Sequence, residues 1–197
     1  MTKRAVWRTY QEFLDRMTDE MLDIVAEEFG GGLLGKAAKS GAKRVTKDIQ
    51  DDMRQQGRLV VEYADSLADG QDDTAYEDRF LRTNPVYQRY DGDREAELRD
   101  HLLSHFRQVG SDLAPLVASA EDDFWTALRT EYTRSEAESI VDRHFSQAET
   151  FEEYKDGVFS SQRIGGKVLY VLEKGETRLR ESIYLDLTDV YSETDTS

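Results

Sequence analysis

The stretch WRTYQEFLDRMTDEMLDIVAEEF, residues 7–29, runs into Gly30-Gly31-Gly32 and is followed by LLGKAAKSGAKRVTKDIQDDMRQQGRLVVEYADSLADG, residues 33–70. In the first part Trp7, Tyr10, Leu14, Met17, Met21 and Ile24 recur at steps of three or four with acids between them, the pattern of an amphipathic helix. The glycine run ends it, because glycine raises the entropic cost of continuing a helix and admits positive φ. In the second part Leu34, Ala38, Ala42, Val45, Ile49, Met53, Val60, Tyr63 and Leu67 form another such stripe. Two long helices joined by a short glycine turn predict an antiparallel, coiled-coil-like hairpin over residues 1–68.

Working outward, residues 69–157 read as a helical region. Asp69 to Asp73 forms an acidic loop, and Pro85 interrupts an aromatic segment of Tyr76, Phe80, Tyr87 and Tyr90. A helix opens after Asp91-Gly92-Asp93, carries Leu98, Leu102, Phe106 and Val109, and is expected to close at Gly110. A further helical stretch follows through Leu113, Val117, Phe124, Trp125 and Leu128. Thr133 to Glu136 and Thr150 to Glu153 have capping-box spacing, so a helix is expected to start at each. Residues 158–191 admit two readings. Gly165-Gly166 between Val158–Ile164 and Lys167–Glu173 is the spacing of a small β-hairpin, with Ile183, Leu185 and Leu187 alternating like a third strand. Leu169, Leu172, Leu179, Ile183 and Val190 also fit helical steps, but the glycine pair and β-branched content favour the hairpin. Residues 192–197 read as a disordered tail. The expected fold is mainly α: a long N-terminal antiparallel helical hairpin, a helical bundle region and a possible small C-terminal β-hairpin.

The chain has 197 residues, enough to bury roughly 70% of its unfolded surface without a disulfide or structural metal. It lacks cysteine, which removes disulfides, thiol nucleophiles and thiolate zinc sites together. No apolar run is long enough to span a membrane or to serve as a secretory signal, so a cytoplasmic location is expected. Net charge is −15, from 22 Asp and 19 Glu against 18 Arg and 8 Lys. Such acidic excess, with Arg preferred to Lys, fits halophilic adaptation to a high-salt cytoplasm in which screening removes the self-repulsion.

The charge is uneven. Lys36, Lys39, Lys43, Arg44 and Lys47 fall within twelve residues that hold no acid, leaving −20 for the remainder. This basic segment suggests contact with nucleic acid or another anion. Five phosphate contacts would lose nearly six decades of affinity between about 0.1 M and about 2 M salt, and the segment has no aromatic residue to stack on a base. Acids of this chain or of a second subunit are therefore the expected neighbours.

Other motifs carry less. Gly30 to Ala37 matches the GxxxxGK part of a phosphate loop, yet Ala37 occupies the hydroxyl position and a helix precedes it where a strand is required. His101 and His105 have the i, i+4 spacing of two metal ligands, and His144 could add a third, giving a histidine-metal helical bundle. Glu97 cannot join them, since one helix separates i and i+8 by about 12 Å. A core-edge position for His105, on the stripe of Leu98, Leu102 and Val109, is the simpler account, so no metal or other cofactor is expected. Ser104 beside His105 makes no nucleophilic pair, because neighbours on a helix do not face each other. A winged-helix order of elements over 133–173 is opposed by Glu149, Glu152, Glu153 and Asp156 on its recognition helix. No catalytic constellation emerges, and an enzyme is not expected. The expected function is protein–protein interaction or self-assembly as a homo-oligomer, with a DNA-associated regulator using residues 36–47 as the alternative and the metal bundle as the second.

Overall fold

A computed structural model describes residues 2–29 and 33–192, with side-chain surroundings for residues 3–28 and 47–192. The protein is mainly helical, and the described residues include no strand. The helices are α1 (Thr2–Phe29), α2 (Leu33–Ala68), α3 (Ala75–Thr83), α4 (Pro85–Arg89), α5 (Glu95–Ala118), α6 (Phe124–Glu131), α7 (Arg134–His144), α8 (Gln147–Val158) and α9 (Gln162–Ser192). None is long and apolar enough to cross a membrane. Gly30–Gly32, the candidate glycine turn and start of the phosphate-loop match, lie outside the described residues, as do residues 193–197 of the expected tail.

Along α1 and α2 rising numbers meet falling ones: Lys3 pairs with Asp65 at 2.5 Å, Tyr10 packs on Gly57, and Asp15 pairs with Arg54 at 2.6 Å. The two helices therefore run in opposite directions. α9 lies along α1 in the same opposed sense, joined by Arg16–Asp186 at 2.6 Å, Arg178–Glu27 at 2.8 Å and Lys174–Glu28 at 2.9 Å. Between them the core draws on every long helix: Val6, Met17 and Ile24 of α1, Tyr63 and Ala64 of α2, Leu98 and Phe106 of α5, and Leu179, Ile183 and Leu187 of α9. Phe106 stacks against both Tyr63 and Phe80, with ring centroids 4.9 and 4.5 Å apart.

The expected β-hairpin is corrected. Residues 162–192 form one helix, α9, and Gly165 and Gly166 lie inside it. Burial explains the outcome: Ile183 and Leu187 are buried at 1% and 0% exposure while Leu185 is 70% exposed. A strand would put all three on one face, whereas a helix puts positions four apart together and turns the middle one away. Gly175 is also within α9, and a Cβ there would stand 3.0 Å from Met21 Cγ and 3.4 Å from Met17 Cε. Glycine here leaves room for the Met17 and Met21 side chains of α1. The helical cost of glycine, about 1 kcal/mol each, is outweighed by the packing of α9.

Two boundaries also differ. α5 continues through Gly110 to Ala118, since Gly110 is buried against Tyr63 and so shares the apolar face instead of ending it. Thr150 does not cap a helix: α8 begins at Gln147, and Thr150 is buried within it. Thr133 and Glu136 do form a full capping box at the start of α7.

Because α9 is a helix, Leu187→Ala should lower stability by about 2–5 kcal/mol while Leu185→Ala stays within about 0.5 kcal/mol of the parent. Chemical denaturation followed by circular dichroism measures both, and equal effects would contradict the helical register.

Candidate functional site

The most polar part of the interior lies where α5, α7, α8 and α9 meet. Asp112 of α5, 7% exposed, accepts hydrogen bonds from Arg143 to both carboxylate oxygens at 3.0 Å and from Gln108 Nε2 at 3.1 Å. His144 Nε2 lies 3.4 Å from Asp112 Oδ2 without hydrogen-bonding geometry to it. Burial would raise the Asp112 carboxyl, but His144 and the Arg143 guanidinium outweigh it and hold the group below the usual carboxylate range. Tyr132 Oη donates to the Asp112 carbonyl at 2.7 Å, and Tyr191 Oη donates to the Tyr132 carbonyl at 2.8 Å, tying α9 to this point.

Back along α5 from Asp112, His105 lies about two turns away and His101 about three, while His144 of α7 stays beside Asp112. His101 Nε2 is 2.8 Å from Thr150 Oγ1, and His105 Nε2 is 2.5 Å from Gln147 Nε2, an approach in which the amide donates and a neutral imidazole accepts. Burial, with some repulsion from His144 and His101, lowers His105 to about 4, and burial lowers His144 likewise. The structure thus brings His101 and His105 to α8 through separate neutral partners and keeps His144 against Asp112. Among the described residues no group of three or more His, Asp or Glu side chains converges so as to hold a metal ion. Ser104 is exposed, and Gln147, not Ser104, meets the His105 Nε2.

Glu176 of α9 was not singled out from the sequence. It is 2% exposed, and its two carboxylate oxygens accept the backbone N–H groups of Gln147 and Ala148, each at 2.7 Å. These are unpaired donors of the first turn of α8, so the carboxylate does the work of a cap from another helix. Burial pushes the group up to about 7 despite those two hydrogen bonds. Beside it Arg180 donates to the Phe145 carbonyl at 2.6 Å, closing the α7–α8 corner. A cavity of about 110 Å³ adjoins Glu176 and is lined by Glu149, Glu152 and Glu173 as well as Arg180. The signal was present, since Glu176 continues the i, i+3, i+4 stripe of Leu172, Leu179 and Ile183. It becomes visible only once α9 is taken as a helix.

Of the basic segment, Lys36, Lys39, Lys43 and Arg44 lie on α2 with side chains outside the described residues. Lys47 is exposed and forms no ion pair among the described residues. Comparison with protein-family models, with curated proteins and with solved structures gives no match.

The cluster has opposing titrations. Glu176, raised in the folded state, contributes stability that is present below about pH 4.5 and is lost as pH rises through about 7, roughly 3 kcal/mol in all. His105, lowered to about 4, contributes stability that is present above its ordinary value of 6.5 and is lost as pH falls toward 4. Glu176→Gln should therefore make stability fall more steeply with acid than in the parent, and His105→Gln should make it fall more steeply with rising pH. Unfolding midpoints of both variants between pH 4 and 8 check the two slopes, and parallel curves would refute the assignment.

Proposed function

We propose that this is a non-enzymatic helical protein that self-assembles, using the N-terminal hairpin of α1 and α2 as its docking arm and the segment 36–47 as the contact. The observation that carries the reading is the division of charge at that end of the molecule. Glu27 and Glu28 of α1 are already held by Arg178 and Lys174 of α9, and Glu20 lies 3.6 Å from Arg178. Lys47 meanwhile points to solvent with no ion pair among the described residues. The five cations of the segment are opposite in sign to the rest of a second copy, which carries −20 outside residues 36–47.

The small residues Gly35, Ala38, Gly41 and Ala42 support the same reading, because a helix carrying them lets a partner backbone come close. Close approach matters in a high-salt cytoplasm, the setting the composition favours. At about 1 M salt the Debye length is about 3 Å, so only ion pairs in direct contact retain strength. A symmetric dimer would use the surface twice, each copy offering its basic segment to the other's acids.

Light scattering coupled to size exclusion in molar KCl should give a multiple of the 22.7 kDa chain mass. Replacing Lys36, Lys39, Lys43, Arg44 and Lys47 together by Glu should return it to the monomer mass. A monomeric parent protein, with no partner recovered in the same salt, would end this reading. Loss of DNA retention in the fivefold variant without a change in mass would transfer the segment to phosphate binding.

A further inference from the structure

A second feature lies at the opposite end of the α1–α2 pair and does not depend on self-association. Between the first turns of α1 and the later part of α2 the surface opens into a groove of about 620 Å³, lined by Lys3, Arg4, Trp7, Arg58, Val61 and Glu62. That volume is within the usual range of small-ligand sites, about 300–1,000 Å³. Its floor is apolar, since Val61 is 2% exposed, and its wall is the half-buried Trp7. Trp125, the other tryptophan, stands edge-on to Phe13 and Phe124. Trp7 packs against the core but has no aromatic partner among the described rings.

The groove is cationic on an acidic molecule. Lys3, Arg4 and Arg58 face a single lining carboxylate, Glu62, on a chain of net charge −15. Lys3 is answered by Asp65 at 2.5 Å, while Glu62 is shared between Arg58 at 3.2 Å and Arg79 at 3.7 Å. Arg4 is exposed and has no ion pair among the described residues. The first turn of α1 contains no acid. Lys3 and Arg4 therefore stand near the positive end of the helix dipole, where cations destabilise a helix by a few tenths of a kcal/mol each and anions stabilise it.

We propose that this groove binds a planar aromatic anion of the nucleotide class, with the ring against Trp7 over the Val61 floor and the phosphate between Arg4 and Arg58. The shared chemistry is that of a free nucleoside phosphate and of one unit of a single strand. Stacking on an aromatic side chain is worth about 5- to 150-fold in affinity per base, and it survives the salt that removes simple phosphate attraction. The basic segment 36–47 lacks such a ring.

Calorimetric titration of the full chain with adenosine monophosphate, adenosine, inorganic phosphate and an oligothymidylate tests this in dilute and in molar KCl. One site per chain is expected for adenosine monophosphate, with adenosine and phosphate each at least about tenfold weaker. Arg4→Glu with Arg58→Glu, both on the surface, should weaken binding at least about tenfold, and Trp7→Leu should do the same while the helical circular dichroism is retained. The fivefold Glu variant of residues 36–47 should bind as the parent does, which separates this site from the self-association surface. Oligothymidylate binding tighter than the mononucleotide would assign the site to a strand, and equal or weaker binding would assign it to the free nucleotide. No binding of either, phosphate as tight as the nucleotide, or affinity unchanged in the Arg4/Arg58 variant would overturn the proposal.

Discussion

Two adjacent residues of α9 set how it meets α1 on one side and α8 on the other. Gly175 leaves room for Met17 and Met21 of α1, and Glu176 reaches the N–H groups of Gln147 and Ala148 at the start of α8. The first is a steric permission and the second an electrostatic tie, and they point to different partners because side chains one residue apart diverge by about 100° on a helix. Once α9 is seated by this pair, its stripe of Leu179, Ile183 and Leu187 closes the core over α1, α6 and α7, and Tyr191 closes on the end of α6. A glutamate buried at this point is costly unless its oxygens are satisfied, so the register of α9 against α8 is held by the penalty of leaving them unpaired.

The polar interior is organised so that little net charge is buried at neutral pH. Arg143 neutralises Asp112, the imidazoles of His105 and His144 resist protonation, and Glu176, raised to about 7, is only partly ionised. Three of these groups are pushed in the direction that desolvation demands, which is the uncharged form. Asp112 is the exception because His144 and the Arg143 guanidinium both stand beside it. The arrangement explains how a chain with 34% charged residues maintains a conventional apolar core: charge is kept at the surface, and the few ionisable groups inside are paired or held neutral.

Surface charge tells a different story at the two ends of the α1–α2 pair. At one end the acids of α1 are bound by Lys174 and Arg178, and at the other Lys3, Arg4 and Arg58 gather around Trp7. A net charge of −15 conceals this, since most of the acids lie elsewhere. Exposed ion pairs of this kind contribute little stability individually, so their arrangement bears more on what the surface attracts than on how firmly the chain folds.

The helical nature of the protein, the presence of two long N-terminal helices and the capping box at Thr133 were legible in the sequence, because periodicity and caps act over a few residues. Three local signals misled. Gly165-Gly166 reads as a turn and Gly110 as a helix stop, yet both lie inside helices: Gly165 is buried against Phe159 and Gly110 against Tyr63, while Gly166 faces open space. The spacing of Ile183, Leu185 and Leu187 suits a strand until the exposure of Leu185 is known. The histidines were visible as a pair on α5, but that His101 would meet Thr150 and His105 would meet Gln147 depended on where α8 comes to rest. Asp112, Glu176 and the groove at Trp7 could not be ranked among so many charges, because their importance comes from burial and from residues distant in sequence. By itself the sequence determined the mainly helical character, the excess of acids and the acid-free basic segment, all set by near-neighbour chemistry. Tertiary structure alone decided which polar groups lose water and meet a partner, since desolvation depends on the whole packed neighbourhood.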